Sequence, residues 1–164
     1  MPDLDLASTN AANYSAIVFV GGWGASSYQY AFNGTYQNGN YNGTLAVRNK
    51  VNQLVNDFQS QGKFVTAICH GVSVLAWARV NGKSPIAGRS VAGYHGDAPA
   101  SSIAAATTSE WHIQQNGGTM FGSGVLGNQG TVADDVYIDG KMITAENYDT
   151  ATRFGQVLAQ QLLN

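Results

Sequence analysis

Charge is scarce in this 164-residue chain: Asp, Glu, Lys and Arg make up 11% of it, with 8 cations against 10 anions for a net charge of -2. There is no basic cluster, which argues against nucleic acid as a partner, because that binding depends on neutralising phosphates. Cysteine occurs once, so no internal disulfide can form and no multi-thiolate metal site can be built. The three histidines lie 25 and 17 residues apart, with no local pairing, and neither a metal nor another cofactor is expected. No apolar run approaches the roughly 18 residues needed to cross a bilayer; the longest are Ala16–Val20 and Val72–Ala78. The opening Met-Pro-Asp-Leu-Asp lacks the basic-then-apolar order of a secretory signal. The expectation is a soluble, cytoplasmic protein.

Apolar side chains and neutral amides are plentiful. Hydrophobic residues account for 44% of the chain, and 14 Asn and 11 Gln supply more polar surface than ions do. The length suits one domain, residues 1–164, burying roughly two-thirds of its unfolded surface. Residues 1–15 are polar and aperiodic, and Ala16–Val20 then runs into Gly21-Gly22-Trp23-Gly24, the pattern of a buried strand entering a tight loop. Residues 33–44, rich in Asn-Gly, read as a loop. Thr44 is a candidate N-cap for a helix that carries Val51, Leu54, Val55 and Phe58 on one stripe and ends at Gly62.

Phe64–Ile68 is a second buried strand, and a helical stretch with Val72, Leu75, Ala76 and Val80 on one side follows Cys69-His70-Gly71. Further on, Ser90–Ala92 reads as a short strand and Thr108–Gln115 as a short helix. Val132–Ile138 and Lys141–Thr144 flank the hairpin signal Asp139-Gly140. Asp149 can cap a last helix with Ala151, Phe154, Leu158 and Leu162 on one stripe. Strands alternating with helices indicate an α/β domain with a mainly parallel sheet.

The single thiol stands where a buried strand turns into a helix, in Ala67-Ile68-Cys69-His70-Gly71. This is the layout of a nucleophile elbow. Such a turn lifts the side chain above the carboxyl edge of the sheet, where open α/β sheets bind ligands, and the helix N-terminus favours a thiolate. The His70 N–H then points at the oxyanion formed when Cys69 attacks a carbonyl. His70 is the first candidate base, with His95 and His112 behind it; the simpler alternative for Cys69 is a thiol that merely packs.

The elbow, the segment Ile17-Val18-Phe19-Val20-Gly21-Gly22, the hairpin Asp139-Gly140-Lys141-Met142-Ile143-Thr144 and the last helix together resemble the PfpI/ThiJ family, relatives of the class I glutamine amidotransferases. The resemblance implies a flavodoxin-like three-layer sandwich with a reactive cysteine in the elbow. It also implies an oxyanion pocket from the backbone N–H groups of Gly22 and His70, with His70 as base held by a carboxylate. Asp97 lies in the region from which some relatives draw that carboxylate, and Glu110 is the second choice.

Family members usually carry a strand–helix–strand unit, with a Glu facing the cysteine, ahead of the segment matching Ala16–Val20. Fifteen residues are too few for a unit of roughly 30. The expectation is therefore an N-terminally truncated sandwich that exposes the edge at Ala16–Val20 and forms a homo-oligomer through it.

Trp23 and Gly21 are candidates for the substrate pocket, and Tyr28, Tyr30, Phe32, Tyr36 and Tyr41 crowd the neighbouring loop as either a lid or a packing cluster. The functional reading is a cysteine-dependent enzyme attacking a small carbonyl compound or a peptide, in the peptidase-like or the glyoxalase- and deglycase-like manner of the family. A non-catalytic chaperone-like or interaction protein is the rival, and an esterase-like hydrolase is a third option.

Overall fold

A computed structural model describes residues 4–96 and 108–164. Its main sheet has four strands, β1 (Ala16–Phe19), β2 (Phe64–Ile68), β5 (Val136–Asp139) and β6 (Met142–Ala145), in the order β1-β2-β6-β5. β1, β2 and β6 run parallel, and β5 turns back antiparallel through the Asp139-Gly140 hairpin, where Gly140 takes φ 60°. Two short strands, β3 (Ser90–Val91) and β4 (Thr119–Met120), pair parallel as a separate ribbon. The Ala92 N–H, donated to Thr144 Oγ1 at 2.9 Å, ties that ribbon to β6.

Every residue of β2 is buried, as expected of a central parallel strand covered on both faces. Val65 and Ala67 belong to one core with Val51, Leu54, Val55 and Phe58 of α1 (Leu45–Ser60) and Leu75 of α2 (Val72–Trp77). Phe64 and Ile68 belong to a second core with Ile143 and with Phe154 and Val157 of α4 (Ala151–Leu163). This is a three-layer α/β sandwich of the flavodoxin-like kind, its sheet mainly parallel. The remaining helix, α3 (Ser109–Gln114), packs on α2. Among the described residues no helix is long and apolar enough to cross a membrane.

Local chemistry sets most of the boundaries. Thr44 Oγ1 accepts the Val47 N–H at the start of α1, and Thr108 Oγ1 accepts the Trp111 N–H at the start of α3. Three expectations shift. Val132 is exposed and outside the hairpin, whose first strand begins only at Val136. Val80 lies beyond α2, in a bridge to Lys83. Asp149 does not cap α4; the N-cap position is Thr150, and it is Asn147 Oδ1 that accepts the N–H groups of Asp149 and Thr150.

Candidate active site

The elbow forms because two chains of backbone meet with no room between them. A Cβ on Gly71 would lie 2.1 Å from the Phe19 carbonyl oxygen, and one on Gly21 would lie 2.5 Å from Cys69 Cβ and 2.9 Å from its Sγ. Glycine at both positions lets the end of β1 press against the turn. Between them Ile68 is still extended, and Cys69 alone swings to φ 60°, left-handed space that costs an L-residue roughly 1–2 kcal/mol. The next residues enter a tight turn leading into α2.

This backbone sets Cys69 Sγ 3.4 Å from His70 Nδ1 and brings the N–H groups of Gly22 and His70 onto the sulfur. Burial pushes the thiol above its ordinary value, and the two N–H groups oppose that push without cancelling it. A helix N-terminus alone favours a thiolate, whereas burial at this position favours the protonated thiol. His70 is buried, with its ring against Tyr94 at 4.5 Å between centroids.

Cys69 opens into a cavity of about 200 Å³ walled by Val20, Gly21, Gly22, Ile68, Tyr148 and Ala151, nearly all apolar. Gly21 lines it as expected, whereas Trp23 lies outside its walls, half-exposed and edge-on to Tyr41. Nothing in the sequence places Tyr148 or Ala151 at the site, since the parallel pairing of β2 with β6 is what brings the start of α4 to the elbow. A larger cleft of about 460 Å³, between the loop before β5 and α4, contains neither Cys69 nor His70.

Of the other candidates, His95, Glu110 and His112 make the following contacts. His95 is exposed, with Nε2 2.7 Å from the Phe121 carbonyl. Glu110 accepts from Gln114 Nε2 across one exposed turn of α3. Asp97 lies outside the described residues. His112 is 1% exposed among Phe32, Tyr36, Trp77 and Trp111. The tyrosine-rich loop is thus in part a packing cluster.

Trp77 Nε1–H donates to His112 Nδ1 at 2.9 Å, which leaves the proton on Nε2, facing the Tyr36 hydroxyl at 3.5 Å. Tyr36 donates to Gln29 Oε1, Gln29 Nε2 to Ser73 Oγ, and Ser73 to the His70 carbonyl, at 2.7, 2.8 and 2.8 Å. A continuous buried chain of hydrogen bonds thereby anchors the elbow to the aromatic core.

Burial, with the nearby His70 adding to it, pushes His112 down to about 4. The unfolded chain binds this proton below about 6.5 and the folded chain only near 4, so stability falls as pH drops through that window, on the order of a few kcal/mol in all. Thermal unfolding of His112→Gln should show a flatter acid limb than the parent. An unchanged slope would mean that His112 does not carry the effect.

A model of the DJ-1/PfpI family matches residues 39–161, which includes the elbow, the hairpin and most of α4. The chain belongs to the DJ-1/PfpI family. Gly21 and Gly22, which close the site from β1, lie ahead of the matched span.

Solved DJ-1/PfpI-type structures share the fold. Rapid Encystment Protein 24 KDa from Francisella tularensis aligns at a TM-score of 0.69 and 24% identity, over 99% of this chain and 64% of that one. Glyoxalase III from Candida albicans aligns at 0.65 and 14%, over 94% of this chain and 60% of that one. A two-domain protein from Anabaena variabilis with DJ-1/ThiJ/PfpI-like and ferritin-like domains aligns at 0.53 and 20%, over 95% and 32%. The chain thus spans less than two-thirds of the length of each of these relatives. No curated protein matches it.

Proposed function

We propose that the protein is a cysteine-dependent enzyme that adds Cys69 to a small carbonyl compound. The observation carrying this reading is the elbow itself: a strained Cys69 with His70 Nδ1 at 3.4 Å and two backbone N–H groups converging on the same place. As Sγ attacks the carbonyl carbon, His70 takes the thiol proton, and the N–H groups of Gly22 and His70 pass from the sulfur to the developing oxyanion. Asp97 is the carboxylate proposed to orient His70, and Asp97→Asn tests it by lowering turnover without changing stability.

The size of the cavity favours an aldehyde over a peptide. About 200 Å³ is below the roughly 300–1,000 Å³ usual for drug-sized ligands, and its walls offer few polar groups to hold a peptide backbone. That one fold neighbour is a glyoxalase III supports the same choice. Turnover should be measured with methylglyoxal, a p-nitrophenyl ester and a small peptide. Methylglyoxal consumption with little action on the others is the expected result; ester or peptide turnover alone would redirect the substrate class, and no turnover at all would overturn the enzyme reading.

One observation favours the non-catalytic alternative. β1 lies at the edge of the described sheet, with Val18 39% exposed and Val20, just past the strand and also a wall of the Cys69 cavity, 71% exposed. Such an apolar edge is a pairing surface, and a second copy of the chain is its proposed partner. Sedimentation at micromolar concentration should show a dimer or larger species that Val18→Lys dissociates; a monomer throughout would contradict this. A wild-type protein that suppresses aggregation of an unfolded client but turns over no carbonyl would establish the alternative.

A further inference from the structure

We propose that Asp134, Asp135 and Glu146 form a binding site for a hard divalent cation, Ca²⁺ by best fit, which ties the loop ahead of β5 to the end of β6. The site is separate from the chemistry at Cys69 and stands or falls independently of it.

Two observations meet here. The three residues are 2%, 1% and 3% exposed, and one carboxylate oxygen from each lies within 4.8 Å of the others. Separately, Asp135 Oδ2 and Glu146 Oε2 are sealed from solvent and receive no hydrogen bond. Among the described residues no Lys or Arg pairs with any of the three. Buried carboxylates in this position must take up either protons or a cation, because an unpaired charge is not held in a low-dielectric interior.

The donors around the cluster favour the cation. Asp134 accepts the N–H groups of Gly130 and Asp135, Asp135 Oδ1 accepts the Leu126 N–H at 2.6 Å, and Glu146 Oε1 accepts the Ser123 hydroxyl at 2.6 Å. Each of these bonds stabilises an ionised carboxylate. Asp135 and Glu146 thus have one oxygen held by the chain and a second left over. Opposing this, burial, the charge of Asp134 and a carboxyl–carboxyl contact with Asp134 raise the proton affinity of Glu146, while the Ser123 hydroxyl and His95 lower it.

The chemistry of the donors selects the ion. An all-oxygen, carboxylate-rich site suits Ca²⁺, Mg²⁺ or Mn²⁺ rather than metals that prefer nitrogen or sulfur. Ca²⁺ accepts irregular carboxylate geometry, whereas Mg²⁺ parts reluctantly with its water. Asp134 also lines the cleft of about 460 Å³ beside α4, so the cluster borders an open space on that side.

Protein stripped with a chelator and dialysed should be equilibrated with CaCl₂ or MgCl₂ and its bound metal counted, with thermal unfolding followed in parallel. The expected result is one Ca²⁺ per chain, an unfolding midpoint that rises with Ca²⁺, and an affinity at least about tenfold weaker in Asp135→Asn and in Glu146→Gln. If the variants fail to fold, the stoichiometry and midpoint shift of the parent decide. Absence of stoichiometric Ca²⁺ at millimolar concentration would overturn the proposal, as would uptake that both folded variants retain in full. A parent that binds no cation, with Glu146→Gln more stable at neutral pH, would show a shared proton in its place.

Discussion

Cys69→Ala should abolish carbonyl turnover and every covalent adduct, a loss of at least about a thousandfold, while the protein stays folded. The sulfur is the only nucleophile the elbow presents, and no other thiol exists to replace it. The fold should survive because alanine meets the same φ 60° that cysteine already tolerates. A companion substitution separates strain from chemistry. Cys69→Gly, equally inactive, should be more stable than Cys69→Ala by about 1 kcal/mol, since glycine adopts left-handed backbone without penalty. Retained turnover in either variant, measured by substrate loss, would mean that the reaction lies elsewhere.

Gly71→Ala should be the most damaging small substitution near the site. Its methyl would meet the carbonyl oxygen of Phe19 at 2.1 Å and the carbonyl carbon at 2.8 Å, both backbone atoms of a strand hydrogen-bonded into the sheet. Neither can rotate away as a side-chain tip could, so β1 and the elbow must separate. Overpacking of this kind costs about 1–3 kcal/mol and at times more, and here the displacement falls on the oxyanion donors as well. Chemical denaturation should show a lowered midpoint, and turnover should fall with it. Gly21→Ala acts on the thiol directly, because its methyl strikes Cys69 Cβ at 2.5 Å and Sγ at 2.9 Å, with the Ile68 carbonyl oxygen next at 3.1 Å; it should depress reactivity along with stability. Parent-like stability in Gly71→Ala would show that β1 is not pressed against the turn.

The elbow was legible in the sequence because its signals are local. An apolar run, a thiol at its end, His and Gly after it, and a helical stripe beyond all lie within about fifteen residues, and α1 announced itself through Thr44, its buried stripe and Gly62. What escaped depends on non-local pairing. β4 is two residues long and exists only because Thr119 and Met120 lie beside Ser90 and Val91. Tyr148 reaches the cavity through the β2–β6 register, and Glu146 meets Asp135 because Val136 pairs with Ala145 across the hairpin, where the Glu146 N–H also donates to the Asp135 carbonyl.

The state of the thiol depends on non-local packing in the same way. A helix N-terminus can be read from sequence, but the burial that outweighs it depends on packing from β1 and α4. His112 shows the same limit from the other side, since nothing local to it foretells an aromatic enclosure built from Phe32, Tyr36 and Trp77.

The most direct test of Cys69 as a nucleophile served by His70 is the rate of iodoacetamide modification as a function of pH, followed by mass spectrometry on the parent and on His70→Gln. The expected result is a single adduct at Cys69 whose rate climbs steadily from neutral to alkaline pH, slower at neutral pH in His70→Gln. A rate already at its plateau below pH 7, or a thiol that stays unmodified, would contradict it.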